Sequence, residues 1–556
     1  MGDKQMLYAI TIPLVIIAIA AVLISDFVRR KRKLERYVRE SFGKMRAHPS
    51  EPLERLEAVQ TYYEYEKKNI PDVMRVDDIT WNDLDMDTIF ALADHTDSFA
   101  GESCLYYKLH DLSKSSEELE AFEEKVSYFD ENEPERSQVR KSLCLLGKSY
   151  AGYDFPLSID SIDSYRLKYA WVYYLLLGLL LLSAAAAAVF RTPVALFGCL
   201  MVYLFNMTVH IIKKATMDIK IRAIFNVCQT LGTAVNVSDH TKQLSKQTAP
   251  DIESVRTVSK RAIALGLKRA GENSDEVSML SAYLLGPFML DFIRYDKTVT
   301  ALCSKKAECM RIFKYLGEID CAVSTASYRR SLKDCCVPQL TDGKSFMFGQ
   351  LVHPAISNAV PNDFEFRRGV ILTGSNASGK STFIKAAAIN LILAQTIHTC
   401  TTESAVVARC GVITSMAVKD DVLSGESYYI REIKYLKRMT ELCSQGSLLF
   451  LAIDEILKGT NTKERIAASK AVLDYFSKQH CMLMVATHDL ELAKAFDKTY
   501  DNYHFAEVIG TQDVRFDYEL HKGISNSSNA IKLLSAIGFP KQIIDMAQSE
   551  AEKDTV

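Results

Sequence analysis

Three long apolar runs stand out from the pattern of hydrophobic and polar positions along the chain. They cover Leu7–Ser25, Tyr169–Phe190 and Pro193–Ile212, with lengths of 19, 22 and 20 residues. At 1.5 Å per residue, each helix formed by such a run is long enough to cross a hydrocarbon layer of about 30 Å. The pattern therefore predicts three transmembrane helices. Only Arg191 and Thr192 separate the second from the third, so these two are expected to form a tight hairpin.

The first apolar run has two interpretations. A cleaved signal peptide is one, because such peptides also carry an apolar segment near the N-terminus. However, the basic cluster Arg29–Lys33 follows the run, whereas a signal peptide has its positive charge before the apolar segment. The run is also long for a signal peptide, and no clear small-residue cleavage motif accompanies it. We therefore expect a membrane anchor.

The basic residues beside the three runs predict an orientation. If the chain crosses three times, one side collects most of the positive charge: Arg29–Lys33, Arg166, Lys168, Lys213 and Lys214. Only Lys4 and Arg191 fall on the other side. Because basic flanks stay on the cytoplasmic side, we expect the N-terminus outside the cell membrane and both large soluble parts in the cytoplasm.

A different pattern governs the C-terminal part of the chain. Three short apolar runs, Gly369–Thr373, Leu448–Ile453 and Met482–Ala486, each end in polar or glycine-rich sequence. Continuous short apolar runs are typical of parallel strands buried on both faces. A helical pattern, Phe383–Leu393, lies between the first two runs. An α/β domain with a parallel sheet is predicted.

The segment after the first of these strands reads G-x-x-x-x-G-K-S. Strand, glycine loop and helix in this order predict a phosphate-binding loop, in which backbone N–H groups and the helix N-terminus meet phosphate oxygens. Lys380 is expected to contact the β- and γ-phosphates of ATP, and the Ser381 hydroxyl to coordinate Mg²⁺. The alternative is a Gly/Ser-rich surface loop. The predicted nucleotide-binding residues are Gly374, Ser375, Asn376, Ala377, Ser378, Gly379, Lys380, Ser381 and Thr382.

The other two strand ends carry the residues expected to act on the nucleotide. Asp454 ends the second strand and is predicted to hold Mg²⁺ with Ser381, while the adjacent Glu455 orients the attacking water. His488 follows the third strand, where an imidazole can hydrogen-bond the γ-phosphate or the water. A lone histidine is more often structural, but three strand-end motifs in this order favour a catalytic site.

Two further segments suggest a family. Asp420–Glu432 contains Ser-Gly-Glu-Ser and precedes an amphipathic helix, and Gly459–Thr462 closely follows the Asp-Glu strand. Together with the phosphate loop they resemble the MutS family of ATPases, relatives of the ABC ATPases. The resemblance implies that Ser427 acts in trans on the nucleotide of a partner subunit and that Gly459–Thr462 crosses the dimer interface. Ser424–Ser427 also suits an ordinary helix N-cap, and both interpretations can hold.

The resemblance extends along the chain. Val352–Ala355 and Pro361–Asp363 match the approach to the MutS ATPase domain, Tyr518–Ser525 and Ala536–Ile544 its closing strand and dimerisation helices, and Leu84–Phe90 the start of the family's helical core. Residues 1–70 contain nothing like the mismatch-reading domain with its Phe-x-Glu wedge. The expected variant is therefore membrane-anchored and lacks mismatch recognition.

The predicted fold class is multi-domain: transmembrane helices, a helical MutS-like core and a C-terminal α/β ATPase domain of the ABC type. The predicted boundaries are 1–33 for the anchor, 34–165 for the first part of the core, 166–214 for the transmembrane hairpin, 215–344 for the second part of the core with its lever, and 345–556 for the ATPase domain with its dimerisation helices.

Composition adds limits on the partners. The net charge of −2 gives no electrostatic signature of nucleic-acid binding across the whole chain. The thirteen cysteines lack the spacing of a metal site, so no structural metal is expected. Lys260, Arg261, Lys268 and Arg269 lie on a helical pattern that can face solvent or contact phosphates.

Three functions compete at this point. The favoured one is a membrane-anchored MutS-family ATPase, a homodimer in a lipid bilayer that hydrolyses ATP with Mg²⁺ and has possible mismatch-repair-like DNA binding by family resemblance. An ABC transporter-like pump is disfavoured, because three spans are few and the segment around Ser427 lacks the LSGGQ form. A nucleotide-dependent membrane scaffold without a DNA role is the third, and the complete set of predicted catalytic residues disfavours a non-catalytic version.

Overall fold

The computed structural model describes residues 21, 24–45, 53–263, 284–375, 378–416, 428–458, 460–509, 514–524 and 538–553. Most of the first apolar run, Leu7–Ser25, lies outside these residues, as do Ser427 and Lys268–Arg269. The described chain combines a large helical part with two β-sheets near its C-terminal end.

A helical segment at residues 24–40 precedes the named helices. Those helices are α1 Leu53–Glu66, α2 Asp78–Asp83, α3 Met86–Ala93, α4 Phe99–His110, α5 Ser116–Glu131, α6 Glu133–Leu146, α7 Tyr150–Tyr153, α8 Phe155–Asp160, α9 Trp171–Phe190, α10 Pro193–His240, α11 Ala249–Ile263, α12 Leu290–Cys303, α13 Lys306–Ser331, α14 Lys380–Thr396, α15 Tyr428–Cys443, α16 Thr462–Ser477, α17 Leu490–Ala495 and α18 Lys541–Lys553. Short 3₁₀ turns cover Lys67–Asn69, Asp72–Met74, Ile162–Tyr165 and Gly286–Phe288.

Within the described residues, ten strands form two sheets. They are β1 Gln339–Thr341, β2 Phe346–Leu351, β3 Asn362–Phe366, β4 Val370–Thr373, β5 Ser404–Ala408, β6 Gly411–Ser415, β7 Leu449–Asp454, β8 Cys481–Ala486, β9 Asp501–Ile509 and β10 Val514–Lys522. The smaller sheet has the order β1-β5-β2-β3 and the larger one β10-β9-β4-β8-β7-β6. In the larger sheet, β9, β4, β8, β7 and β6 run parallel, and β10 pairs antiparallel with β9.

Helix α4 lies at the centre of the helical core, and all of its residues are buried. The first N–H groups of a helix have no partner within it, so a buried helix N-terminus needs hydrogen-bond acceptors from other groups. Ser98 is its N-cap, and Asp320 of α13 accepts hydrogen bonds from the backbone N–H groups of Asp97 (3.0 Å) and Ser98 (2.8 Å). Gly101 permits this contact, because a Cβ there would lie 2.3 Å from Asp320. Burial raises the pKa of Asp320 to about 7.

The predicted hairpin is present as two helices, α9 and α10, joined through Arg191 and Thr192. Both are long and apolar enough to span a membrane by length and composition, with mean hydropathies of 2.2 and 1.9 over their most apolar stretches. Those stretches are only 22% and 11% buried, whereas the core helix of a soluble protein is mostly buried. Their apolar side chains therefore face outwards.

Helix α10 is longer than the sequence pattern indicated. The third apolar run ends at Ile212, but the helix continues without a break to His240, so the boundary predicted at residue 214 falls inside it. Its first half presents exposed apolar side chains, while Ile224, Leu231 and Ala234 in its second half are fully buried in the helical core. One continuous helix thus joins the hairpin to the core.

Buried polar residues fix the packing of the hairpin. The Asn206 amide donates 3.0 Å hydrogen bonds to the carbonyl oxygens of Leu176 in α9 and Pro287 in the 3₁₀ turn before α12. The His210 ring contacts Asp291 of α12, with Nε2 2.7 Å from Oδ2. Asn206 therefore joins α10 to α9 by a hydrogen bond between the two helices.

The three predicted strands are present as β4, β7 and β8, and they are neighbours in the order β4-β8-β7. Every residue of β4 is buried, as are the first five of β7 and the last five of β8. Because the strands are parallel, their carboxyl ends meet at one edge of the sheet. This edge holds the residues that the sequence singled out.

Candidate functional site

The backbone at this edge is tied together across strands. The Thr487 N–H donates to the Leu372 carbonyl, and the Glu455 N–H donates to the Ala486 carbonyl, both at 2.9 Å. The ends of β4, β7 and β8 are therefore held in register at the point where the polypeptide leaves each strand. The predicted residues Lys380, Ser381, Asp454, Glu455 and His488 follow these ends in the fold.

The glycine-rich loop joins β4 to α14. Gly374 and Gly379 have φ angles of 143° and 105°, which side chains other than glycine rarely adopt. Lys380 begins α14, and its ammonium donates to the carbonyl oxygens of Gly374 (2.7 Å) and Ser375 (2.6 Å). Ser378 lies in the described part of the loop and Thr382 in α14, whereas Asn376 and Ala377 lie outside the described residues. The arrangement directs a buried positive charge to the mouth of the loop at a helix N-terminus, where anions bind.

Ser381, in the first turn of α14, faces Asp454 at the end of β7. The Ser381 hydroxyl donates a 2.6 Å hydrogen bond to Asp454 Oδ2. Because its proton points to the carboxylate, lone pairs of the Ser381 oxygen are available to a cation. Burial raises the pKa of Asp454, and the hydrogen bond from Ser381 opposes that rise. A hydroxyl and a carboxylate oxygen are hard ligands of the kind that Mg²⁺ takes, so these two residues fit that ion.

Glu455 lies next to Asp454 but leaves the strand in the left-handed region, with φ of 65°. Its carboxylate forms an ion pair with Lys458 (Oε2 to Nζ, 2.6 Å) and contacts the His488 ring (Oε1 to Nδ1, 3.2 Å). Burial acts to raise the pKa of Glu455, but Lys458 and His488 outweigh it and lower that pKa below its ordinary value. Glu455 is therefore ionised at neutral pH and can accept a hydrogen bond from water.

Lys380, Ser381, Asp454 and Glu455 line one pocket of about 600 Å³, whereas His488 is not part of that lining and contacts the site through Glu455. Its polar floor is formed by residues 378–382 of the loop and α14, with Asp454, Glu455 and Lys458. Its other walls are mainly apolar or aromatic and come from separate parts of the chain: Leu351, Val352, Ile356, Ala359, Val360, Phe383, Ala386, Met416, Phe505 and Tyr518. A pocket with a phosphate-binding floor and an apolar wall suits a nucleotide, whose base is flat and weakly polar.

Tyr518 forms a wall that sequence reasoning did not assign to the site. It lies in an irregular part of β10, has φ of 56°, and its ring is close enough to Gly379 that a Cβ there would lie 3.2 Å from it. Asn362 holds this segment by donating to the Tyr518 carbonyl (3.0 Å) and accepting from the Leu520 N–H (2.7 Å). No periodicity in the sequence signals a backbone irregularity of this type.

His353 also lines the pocket and was not assigned a role in the site. Burial lowers its pKa to about 4, with a further contribution from the nearby Lys385. His353 is therefore neutral at physiological pH. Its Nδ1 accepts a hydrogen bond from the Ala355 N–H (3.3 Å), which shapes the turn between β2 and β3. Lys458 was missed as well, and its position one turn after Glu455 is the signal that was available.

The segments expected at a subunit interface are described only in part. Ser427 lies outside the described residues, and α15 begins at the next residue, so the alternative N-cap role of Ser424–Ser427 also stays a prediction. Gly459 lies outside the described residues too. Asn461 is the N-cap of α16, with its side chain accepting from the Glu464 N–H at 3.0 Å.

Comparison with known proteins places these features in a family. MutS domain V matches residues 370–554. The DNA mismatch repair protein MutS of Pseudothermotoga lettingae is 29% identical over 266 residues, which cover 46% of this chain and 32% of the relative. The DNA mismatch repair protein MutS 2 of Halobacterium salinarum is 31% identical over 209 residues, 35% of this chain and 24% of the relative. The DNA mismatch repair protein MSH3 of Meyerozyma guilliermondii is 29% identical over 264 residues, 44% and 27% respectively.

The chain thus spans about a third or less of the length of these curated relatives. The matched region of MutS domain V begins at β4 and includes the phosphate loop, Asp454, Glu455 and His488. The fold of the site and these similarities agree, and they support membership of the MutS family through domain V at residues 370–554.

Proposed function

We propose that this protein is a membrane-inserted ATPase of the MutS family, which hydrolyses ATP in composite sites of a homodimer. The single observation that carries the proposal is the convergence of Lys380, the Ser381–Asp454 pair and Glu455 on one pocket of about 600 Å³. Phosphoryl transfer requires mainly positioning and charge stabilisation, and these residue types supply both.

Each side chain has a distinct task in this proposal. Lys380 binds the β- and γ-phosphates, and Ser381 with Asp454 holds Mg²⁺, which neutralises charge on the phosphates. Glu455 accepts a hydrogen bond from the attacking water and orients it. His488 holds the Glu455 carboxylate and contacts the same water or the γ-phosphate. Tyr518 and the apolar wall contact the base.

The second half of the proposal concerns the subunit partner. By family resemblance, Ser427 of one subunit completes the nucleotide site of the other, so each dimer has two composite sites. ATP then links the subunits, and dimerisation depends on nucleotide by mass action. The exposed apolar side chains Phe539, Ile543 and Met546, in α18 and just before it, supply surface that a second subunit can cover.

The proposed function also places α9 and the first half of α10 in a membrane. Exposed apolar side chains cover α9 and the first half of α10, and exposed Tyr169 and Trp171 lie at the start of the hairpin beside Lys168. Aromatic and basic residues at one end of an apolar hairpin are typical of a membrane interface. We place the ATPase domain in the cytoplasm and the Arg191–Thr192 turn outside, with the first apolar run as a further anchor. Helix α10 then connects the bilayer to the helical core.

The relatives are named as DNA mismatch repair proteins, so DNA is a candidate ligand of this chain. In this chain the net charge of −2 provides no overall attraction to phosphates. The proposal therefore assigns DNA contact, where it occurs, to weak and largely sequence-independent binding. Filter binding of the full-length chain to duplex, mismatched and branched DNA over a salt series tests this part separately.

The ATPase proposal is tested with the full-length chain purified in detergent. We expect slow ATP hydrolysis that requires Mg²⁺. Lys380→Ala should lose nucleotide binding, because the lysine contacts phosphate in the ground state, whereas Glu455→Gln should bind ATP but lose turnover. Hydrolysis by Glu455→Gln at the wild-type rate would overturn the assigned roles.

A further inference from the structure

The helical core covers one of the two edges of the larger sheet. Strand β6 lies at that edge, and residues 72–83 of the core run alongside it. The fit is close at Gly411, where a Cβ would lie 1.9 Å from the Val73 carbonyl oxygen. An edge strand presents unpaired backbone groups on alternate residues, so the covering segment has to supply hydrogen-bond partners.

Helix α2 supplies those partners at the end of β6 that is nearest the site. Thr80 accepts from the Thr414 N–H at 3.3 Å. One carboxylate oxygen of Asp83 accepts both from the Thr414 hydroxyl at 2.7 Å and from the Met416 N–H at 2.9 Å. Thr414 and Met416 are two residues apart, as expected for outward groups of an edge strand. Met416 is itself part of the nucleotide pocket wall.

The same segment of the core also holds helix α15. Arg438 of α15 donates to the Thr80 hydroxyl (3.1 Å) and to the Thr414 carbonyl (3.2 Å), and it forms an ion pair with Asp77 (3.2 Å). Burial lowers the pKa of Arg438, whereas Asp77 and Asp83 oppose that change. Core, edge strand and α15 therefore meet in one polar cluster, consisting of Asp77, Thr80, Asp83, Thr414 and Arg438, of which Thr80, Asp83 and Thr414 are buried.

Helix α15 connects this cluster to the turn that bears Glu455. Glu432 of α15 is buried, and its Oε1 accepts from the Lys458 N–H at 3.2 Å. The Lys458 ammonium in turn pairs with Glu455 at 2.6 Å. Asp83 and Thr80 are thus joined to Arg438 through hydrogen bonds around Thr414. Helix α15 carries both Arg438 and Glu432, and Glu432 contacts Lys458, which pairs with Glu455.

We propose that Asp83 is a positioning residue for ATP hydrolysis, through which the helical core sets the position of the Met416 wall and of the turn that carries Glu455. Asp83 does not touch the reacting atoms. It fixes the strand end and, with Thr80, the helix that holds the turn. A displacement of about 1 Å in a group that orients the attacking water can cost about a hundredfold in rate. This inference rests on the ATPase activity proposed above.

The chemistry of the contact defines the variants. Asp83→Ala leaves the Met416 N–H and the Thr414 hydroxyl without their acceptor. Asp83→Asn keeps an amide oxygen that can accept both bonds, so it serves as the conservative rescue. Thr414→Val removes one donor while retaining a β-branched side chain that suits a strand. Asp78→Ala, an exposed residue of the same helix, is the matched control.

The experiment measures kcat and ATP affinity of the full-length variants in detergent. We expect Asp83→Ala to lower kcat by about tenfold or more while ATP affinity changes by less than about threefold, because the phosphate loop is untouched. Asp83→Asn and Asp78→Ala should keep kcat near the wild-type value. A purely structural role would reduce the amount of ATP-binding protein and leave kcat per bound ATP unchanged.

A double-mutant cycle with Glu432→Ala tests the connection itself. If both residues act through the Glu455 turn, their effects on kcat should not add. Additive effects, or an unchanged kcat in both Asp83→Ala and Thr414→Val, would overturn the inference. If Asp83→Ala does not fold, the same measurements and cycle are made with Thr414→Val. Absence of ATP hydrolysis by the wild-type chain is a different result and counts against the proposed function.

Discussion

The Ser381 hydroxyl donates a 2.6 Å hydrogen bond to Asp454, and this contact joins the first turn of α14 to the end of β7. It joins two residues that are 73 positions apart in the sequence: Asp454 is the last residue of β7, and Ser381 lies in the helix that follows β4. Strand β8 lies between β4 and β7 in the sheet, so the contact spans the end of β8 at the edge where the pocket lies.

This pair predicts a specific defect in metal binding. Ser381→Ala should raise the Mg²⁺ concentration needed for half-maximal ATP hydrolysis by about tenfold, because one of two proposed oxygen ligands is lost. Nucleotide binding without Mg²⁺ should change little, since Lys380 is retained. Ser381→Thr keeps the hydroxyl and is the control. An unchanged Mg²⁺ requirement in Ser381→Ala would remove Ser381 from the metal site.

The ion pair between Glu455 and Lys458 predicts a shift in pH dependence. Glu455 must be ionised to accept a hydrogen bond from water, so activity should fall as the pH drops through its pKa. Lys458 lowers that pKa, and Lys458→Met removes this effect. The acidic limb of the kcat–pH profile should therefore move to higher pH in Lys458→Met. Lys470→Met, which breaks only the exposed pair with Glu491, should leave the limb in place.

The sequence predicted the site residues that lie at the carboxyl ends of buried strands. Strands β4, β7 and β8 are buried on both faces and so appear as continuous apolar runs. Asp454 and Glu455 directly follow one such run, Lys380 follows another after the phosphate loop, and parallel strands bring their carboxyl ends together. Chemistry at the carboxyl ends of buried parallel strands is therefore readable from local sequence.

Other parts of the site depend on contacts that local sequence does not encode. Tyr518 enters the pocket because two extra residues in β10 relative to β9 turn its backbone into the left-handed region. Asp83 and Thr414 are 331 positions apart, and only the tertiary packing brings them within 2.7 Å. The continuation of α10 was missed because Lys213 and Lys214 end the apolar run, although no proline interrupts the chain before Pro250.

Asn206 provides a test of hairpin packing. It is fully buried and bridges α9, α10 and the turn before α12, so Asn206→Leu should lower the free energy of unfolding by about 1–2 kcal/mol. Thermal unfolding of the full-length chain in detergent measures this change. Thr208→Val is the control, because Thr208 is exposed and bonds only within its own helix. Equal destabilisation by both variants would contradict the bridging role.

The orientation in the membrane has its own prediction. A membrane-impermeant thiol reagent applied to intact cells should label single cysteines at Asp3→Cys and Thr192→Cys. It should not label Ser115→Cys or Ser444→Cys until the cells are permeabilised, because both lie in the parts assigned to the cytoplasm. Labelling of Ser115→Cys from outside would contradict the arrangement with three spans and an external N-terminus.

The central claim is that ATP is hydrolysed in sites shared between two subunits, and mixing two inactive variants tests it most directly. Lys380→Ala lacks a functional phosphate loop, and Ser427→Ala lacks the group proposed to act in trans. Neither homodimer should be active, but a mixed dimer contains one intact composite site. With random assembly, half of the dimers are mixed, so the mixture should recover about a quarter of the wild-type ATPase activity. Absence of recovery, with mixed dimers shown to form, would mean that the site is complete within one chain.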